Sequence, residues 1–433
     1  MIKFIFIFLT LCPSNALAGY SGRFTLGGFV TQESYDTEAV EAQSNDWAVV
    51  SSRLFLNIDE LGDKEQELVF DLRDKHDFFD KLNPELRTLD EKNTFQVRQA
   101  AFKMRGMSLG RFPVLEAGAV YVDGLSVSYK FGQKFKLGAF TGYNPVILGQ
   151  AHLETNTDQK ISGVHTLYQK SSQEWYHYTY WSSAIVEQRY KEVRDRLYWF
   201  NNFSYQGSQK SYFNMISYLD FEPTQKVQNL WASQYYRFLN AVSTRLSYYT
   251  IDTIEYKRSQ DVRETLDASR YQQAQLTLKH KIGLKQATVN YKYIKGVREV
   301  DDKSKSDASI GINLPEFMSK YLTSSFYIGK RANFISDDNY MTFGLLYNSA
   351  KYELSFDQSI IEETDDLSGT TTAYITDLSM TYLYSRKFFF VLSTQSVKDD
   401  DVSIFTVLFK LTYRFGSKGI PPTRDGASPR GRL

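Results

Sequence analysis

The chain has 433 residues, with 51 Lys and Arg against 50 Asp and Glu and a formal net charge of +1. This near-balance argues against a nucleic-acid partner, because such a partner requires a concentrated excess of positive charge. Aromatic residues make up 15% of the chain, yet the mean hydropathy is −0.41. A soluble globular protein this rich in aromatics would surround them with an aliphatic core, and the sequence offers no such core.

The first 18 residues have the layout of a secretory signal peptide. Lys3 gives a short positive region, residues 4–12 are apolar, and Ala16 and Ala18 form a small-x-small cleavage site. We predict cleavage after Ala18, since the apolar run is too short for an anchor helix. The single cysteine, Cys12, lies inside this segment. The predicted mature chain therefore has no disulfide bond to hold its fold.

Beyond this segment, no stretch of about 18 apolar residues predicts a spanning helix. Alternation of apolar and polar residues over about 10 positions recurs instead, which is the strand pattern of a transmembrane barrel. It is clear in residues 53–59, 125–131, 286–293 and 374–382. We predict an all-β fold, a single transmembrane, antiparallel, up-and-down β-barrel over residues 19–416. The pattern fits about 22 strands, and 18 or 20 strands stay open as alternatives.

Short turns alternate with longer, charged connections along the predicted barrel. Barrels of this class have short periplasmic turns and longer extracellular loops. The alternation keeps one phase from a first strand near Arg23 to a last strand that returns to the periplasm. The short turns lie at 61–63, 105–107, 132–134, 207–209 and 348–350, and the long connections at 36–45, 76–93, 144–160, 253–267, 300–306 and 362–369.

Charged residues in the first six predicted strands are candidates for the lining of a pore. Alternation places Arg53, Asp71 and Arg73 on the polar face. The face of Arg98 stays open, because the alternation of 95–104 breaks phase near Ala100 and Ala101, as at a β-bulge. The alternative is that these charges pair across strands and only hold the wall in shape. The candidates are Arg53, Asp71, Arg73, Arg98, Arg111, Glu116 and Asp123.

Aromatic residues crowd two further segments, 175–181 and 198–200. An interfacial girdle is the favoured interpretation, because girdles accompany every barrel of this class. A sugar-stacking track through the lumen is the alternative, since alternation turns some of these rings inward.

Residues 402–415 resemble the closing strand of outer-membrane β-barrels. Leu411, Tyr413 and Phe415 match the fifth-last, third-last and last positions of that strand, and Phe409 continues the alternation. The resemblance implies that these four residues form the signal read by the barrel-assembly machinery. In the family the last aromatic residue normally ends the chain, whereas residues 416–433 follow it here.

A second segment, 109–125, resembles porin-like outer-membrane proteins of Gram-negative bacteria. Gly110 and Arg111 end a strand, residues 112–122 form a compact loop, and Asp123 and Gly124 begin a descending strand. In porins a folded loop narrows the pore. The resemblance therefore implies a constriction whose charges select among solutes.

These features predict a porin-like channel in the cell outer membrane for passive diffusion of small hydrophilic solutes. The alternative is a structural or interaction barrel with an occluded lumen, which displays surface loops or anchors a periplasmic assembly. No zinc-protease spacing, phosphate loop or nucleophile elbow occurs, so we expect no catalytic residue, no metal and no cofactor.

Expected partners are outer-membrane lipid and lipopolysaccharide, the barrel-assembly machinery and further copies of the chain as a homo-oligomer. Residues 417–433 are predicted to be a disordered, basic periplasmic tail, either inert or a docking segment.

Overall fold

The computed structural model describes most of the predicted barrel. The predicted signal peptide, with Ala16 and Ala18, and the predicted tail at 417–433 lie outside the described residues and stay predictions. No helix in the described part of the chain is long and apolar enough to cross a bilayer. The described residues are 19–35, 43–61, 65–78, 93–145, 157–172, 177–191, 195–222, 225–238, 241–252, 271–283, 287–298, 302–334, 336–365 and 369–416.

These residues form 22 strands and, between the fifth and sixth of them, a one-turn helix at Leu115–Ala117. The strands are β1 (Gly19–Tyr35), β2 (Gln43–Asp59), β3 (Glu67–Phe78), β4 (Asn93–Met104), β5 (Met107–Val114), β6 (Val120–Phe131), β7 (Phe135–Tyr143), β8 (Gln159–Ser172), β9 (His177–Tyr190), β10 (Arg196–Ser208), β11 (Ser211–Glu222), β12 (Lys226–Arg237), β13 (Val242–Ile251), β14 (Tyr271–Lys281), β15 (Thr288–Arg298), β16 (Ser304–Leu314), β17 (Leu322–Ala332), β18 (Ser336–Asn348), β19 (Tyr352–Asp365), β20 (Gly369–Leu383), β21 (Phe388–Lys398) and β22 (Val402–Gly416).

The sheet closes on itself through its first and last strands. Each strand pairs antiparallel with its neighbours in sequence, and β1 also pairs with β22. This closing ladder runs from Ser21 opposite Gly416 to Tyr35 opposite Val402. Because β1 and β22 are each paired on both sides, neither terminal strand is an open edge. The prediction of a closed, antiparallel, up-and-down barrel with 22 strands is confirmed.

Glycines of β1 lie beneath aromatic rings of the predicted assembly signal. Gly22 is opposite Phe415, and Gly28 is opposite Phe409. A Cβ added to Gly22 would lie 2.4 Å from Cζ of Phe415, and one added to Gly28 would lie 3.0 Å from Cε1 of Phe409. A ring that covers a glycine in the neighbouring strand fixes the pairing register. These two rings therefore have a structural role in the closure, and their recognition by an assembly machinery stays a prediction.

The longest connections lie at one end of the barrel, whereas connections of seven residues or fewer occur at both ends. The described chain begins and ends at one end, which we call the turn rim. Turns 105–106, 132–134, 209–210 and 349–351 lie there. The three longest connections, 79–92, 144–158 and 252–270, all join strand ends at the opposite end, which we call the loop rim. The predicted phase of the connections is therefore confirmed. The predicted long connections 300–306 and 362–369 are shorter than expected, because residues 304–306 lie in β16 and residues 362–365 in β19.

Each strand separates an apolar outer face from an enclosed face. In β6, Val127, Tyr129 and Phe131 are 52%, 67% and 52% exposed, as expected for side chains that point away from the barrel. On the enclosed side, hydroxyls bond across the closing ladder, where Thr31 Oγ1 lies 3.0 Å from Thr406 Oγ1. The wall thus has the two-faced pattern of a barrel that stands in lipid and encloses polar space.

Candidate pore constriction

A hairpin at the junction of β5 and β6 leaves the wall and enters the enclosed space. The β4–β5 ladder ends at the Ala100–Arg111 pair, although β4 continues towards the loop rim. The one-turn helix at the hairpin tip contacts β8 and β9, which are not its neighbours in the sheet. We call residues 110–124 the inner hairpin.

A row of three glycines lies where the inner hairpin bends away from the wall. Gly110 is paired with Gly124, and Gly124 with Gly142 of β7. A Cβ on Gly124 would lie 2.1 Å from the carbonyl oxygen of Thr141, and one on Gly142 would lie 2.4 Å from that of Asp123. Gly110 also has φ of +107°, which other residues rarely adopt. The bend therefore depends on residues without side chains at this row.

The inner hairpin packs on the wall through an apolar cluster. Phe112, Val114, Ala117 and Val122 are all at most 4% exposed. In the wall strands, the residues between the cluster members point to the other face and are exposed, such as Trp199 at 37%. The cluster therefore lies on the enclosed face. Each large side chain buried in this way contributes about 1.5–3 kcal/mol to docking. The wall residues of the cluster are Ala101, Phe140, Ile161, Ala184, Val186, Tyr198 and Phe200.

An ion pair fixes the hairpin tip to β7. Lys136 Nζ donates to Glu116 Oε1 at 2.8 Å, and the two side chains are 25% and 15% exposed. Burial alone would raise the pKa of the Glu116 carboxyl, but the hydrogen bond and charge of Lys136 more than offset this effect. The pKa of Glu116 is therefore held below its ordinary value of 4.5. The inner hairpin is docked through a carboxylate that is ionised at neutral pH.

A second ion pair holds the root of the inner hairpin. Arg111 Nε and Nη2 donate to the two carboxylate oxygens of Asp123, each at 2.6 Å. Arg111 Nη1 donates to the carbonyl oxygen of Val97 at 2.8 Å, beyond the end of the β4–β5 ladder. Both side chains are largely buried, at 7% and 12% exposed. The pair is therefore a brace between β4 and the hairpin, and it is shielded from an open lumen.

The three candidates on β2 and β3 lie on the enclosed face, as the alternation predicted. Arg53 Nε and Nη2 donate to the Asp71 carboxylate at 2.7 and 2.6 Å. Arg73 lies directly opposite Arg53 in the β2–β3 ladder. Both hypotheses, pairing across strands and lining of the enclosed space, are compatible with this arrangement. The Arg53–Asp71 pair joins two strands, and Arg53 and Arg73 lie side by side on the enclosed face.

The remaining candidate, Arg98, lies at an irregularity in the wall. The β3–β4 ladder shifts register between Asp71 and Leu72, and Arg98 has no partner position in it. This bulge explains the broken alternation of 95–104. Within the described chain, Nε of Arg98 is buried and has no hydrogen-bond partner. The structure thus groups Arg111, Glu116 and Asp123 on the inner hairpin, and the pore-lining role of all seven candidates stays a prediction.

Several ionic contacts of the enclosed face were missed at the sequence level. Lys136 could have been found by alternation across the turn at 132–134, but no local signal identifies Glu116 as its partner. Arg196 Nη2 donates to Asp220 at 2.8 Å and also to the side chain of Gln228. These residues belong to β10, β11 and β12, so their contact depends on the register of neighbouring strands.

The enclosed face carries sectors of opposite charge. Arg23 of β1 lies opposite Arg414 of β22, beside the two arginines of β2 and β3. Asp357 of β19 lies opposite Asp377 of β20. Asp71 offsets the charge of Arg53 within the first group. The two groups of like charges are separated on the wall only by β21. In the described part of the chain, no group of three or more His, Cys, Asp or Glu is arranged to hold a metal ion.

Comparison with known proteins gives structural likenesses only. No protein-family model and no curated protein matches the chain. OccAB4 of Acinetobacter baumannii aligns with a TM-score of 0.44 and 10% identity over 92% of this chain and 98% of its own. OccK7 (OpdD) of Pseudomonas aeruginosa aligns with a TM-score of 0.46 and 10% identity over 93% and 100%. The assignment of a closed barrel rests on the strand ladders themselves.

The Glu116–Lys136 pair makes the docking of the inner hairpin dependent on pH. Because the pKa of Glu116 is lower in the folded chain than in the unfolded chain, the pair stabilises the fold fully above pH 4.5. This contribution is lost as the pH falls through the lower, folded pKa. We predict that Glu116→Gln removes about 1–2 kcal/mol of stability at pH 7 and less at pH 3, which is below the ordinary pKa of the carboxyl. Urea unfolding of both proteins, followed by tryptophan fluorescence, measures this difference. An equal loss of stability at both pH values would contradict the assignment.

Proposed function

We propose that this protein is an outer-membrane channel through which small hydrophilic solutes pass by passive diffusion. The observation that carries the proposal is the closed 22-stranded wall, apolar outside and charged inside, which, among the described residues, one hairpin enters from one side. The proposal explains the apolar outer face, which would be unfavourable in water, and the separated charges of the enclosed face.

The physics of a bilayer supports the membrane location. In hydrocarbon every backbone donor and acceptor must be paired within the protein, and a sheet achieves this only when it closes. The β1–β22 ladder provides that closure. By the rule that long loops face outwards, the loop rim is external and the turn rim is periplasmic.

The width of the wall supports a channel. The interior of a barrel widens with the number of strands, and a barrel of about 8 strands is already filled by its own side chains. The inner hairpin packs on the side formed by β4 and by β7 to β11. It therefore narrows the space from one side, next to β2 and β3, which carry Arg53 and Arg73. A solute that crosses this space would pass between the hairpin and the remaining wall.

An occluded, structural barrel is the second candidate function. The observation that favours it is the apolar cluster on the enclosed face, because buried hydrophobic contacts of this kind also stabilise a closed lumen. Conductance of the purified protein in planar bilayers separates the two candidates. A channel gives steady open current at both signs of voltage, whereas an occluded barrel gives none.

Arg73 offers a direct test of the charged lining. It lies on the enclosed face opposite Arg53, and, unlike Arg111, it does not brace the inner hairpin. We predict that Arg73→Glu moves the reversal potential in a KCl gradient by several millivolts towards cation preference, because a charge of opposite sign then lines the path. Lys398→Glu is the matched control, since Lys398 lies on the outer face opposite Tyr374. Equal reversal potentials for Arg73→Glu and the unchanged protein would remove Arg73 from the lining.

The glycine row tests whether the inner hairpin limits the current. A valine at Gly124 cannot fit against the carbonyl of Thr141, so the hairpin must move. Overpacking of this kind costs about 1–3 kcal/mol, comparable with the burial of one large side chain of the cluster. We predict that Gly124→Val raises single-channel conductance and makes the hairpin more sensitive to protease. Gly283→Ala is the control, because a Cβ there meets nothing within 4 Å. Unchanged conductance together with increased cleavage would show that the hairpin does not form the constriction.

A further inference from the structure

The outer face of β14 to β17 contains an apolar groove. Its floor is Ala308, and its sides include Tyr293, Ile310 and Ile328, which are 48%, 43% and 50% exposed. These side chains point away from the enclosed space, so the groove opens onto the surroundings of the barrel. The groove is lined by residues from Leu276 and Leu278 of β14 to Ile328 of β17.

The groove ends where the outer face becomes polar. Lys330, Asn339 and Glu362 follow one another across β17, β18 and β19 in one row of ladder pairs. The neighbouring row of outward-facing residues, one step nearer the turn rim, consists of Ile328, Met341 and Ile360. Such a change from apolar to polar residues marks the level at which lipid headgroups begin. The upper end of the groove therefore lies at headgroup level on the loop-rim side.

Two lysines flank this upper end. Lys295 lies opposite Ser306, and Lys330 lies opposite Ala308, so both border the small side chains of β16. Both lysines are exposed, and within the described chain Lys295 forms no ion pair. Lys330 is 3.8 Å from Asp337, and both side chains are more than half exposed, so this pair contributes little. The upper end of the groove has a local excess of positive charge.

We propose that this groove is a binding site for a phosphorylated acyl lipid of the loop-rim leaflet. The phosphate lies between the ammonium groups of Lys295 and Lys330, and one acyl chain lies along Ala308 and Ile310. Lysines at a membrane surface attract anionic headgroups, and an acyl chain gains contact with apolar side chains that a free phosphate ion lacks. This inference rests on the membrane location proposed above and is independent of whether the lumen conducts.

Native mass spectrometry of the full chain in detergent, with added lipid A, tests the site. Lys295→Gln with Lys330→Gln is expected to lower the lipid-bound fraction, by about fivefold in affinity for each lysine removed. Ala308→Leu, which fills the floor of the groove, is expected to lower it while both lysines are retained. Lys398→Gln, an outward lysine near the same rim but away from the groove, should leave it unchanged.

The outcomes separate the two parts of the proposal from each other and from channel function. Equal retention of lipid A and its dephosphorylated form would overturn the role of the phosphate. Unchanged retention of lipid A by both the double lysine variant and Ala308→Leu would overturn the site as a whole. Because these side chains face outwards, none of the variants should change conductance. A barrel that retains lipid at this site but carries no current would support the site and contradict the channel.

Discussion

The fold depends on the ladder between β1 and β22. A sheet of this length with two open edges would leave unpaired backbone groups along both of them, which is unfavourable in hydrocarbon and promotes aggregation in water. The pairing from Ser21–Gly416 to Tyr35–Val402 removes both edges. Gly22 and Gly28 beneath the rings of Phe415 and Phe409 fix its register. Because closure defines an inside and an outside, the alternation of every strand becomes a division between lipid-facing and enclosed side chains.

The inner hairpin is a second consequence of closure. A wall with 22 strands encloses more space than its own side chains fill, and a hairpin that enters it must leave the ladder without exposing buried polar groups. The glycine row permits the bend, and Arg111 donates to the Val97 carbonyl beyond the end of the ladder. The apolar cluster and the Glu116–Lys136 pair then hold the tip. Backbone geometry, hydrogen bonding and burial thus all favour the same position of the hairpin.

Much of this arrangement could be predicted from the sequence. Local alternation predicts the strand number, the phase of short and long connections and the outward face of 125–131. The alternation within one strand does not depend on which strand pairs with it. The folded segment at 109–125 was also anticipated, through its resemblance to porins. Local sequence did not reveal that Arg111 pairs with Asp123, that Lys136 meets Glu116, or that the bulge falls at Arg98. Those contacts depend on the register between strands and on packing across the enclosed space, which no local pattern encodes.

Accessibility of alternate residues in one strand tests the central claim of a two-faced wall most directly. With Cys12 replaced by serine, single cysteines at positions 374–380 of β20 would be the sole thiols in the chain, since Cys12 is its one native cysteine. In lipid vesicles, a charged, membrane-impermeant thiol reagent should modify cysteines at Ile375, Asp377 and Ser379, which face the enclosed side. Cysteines at Tyr374 and Leu378, which point outwards and are 50% and 49% exposed without lipid, should be protected. Equal reactivity at all positions, or reaction at the outward positions alone, would contradict a barrel that stands in lipid and encloses water.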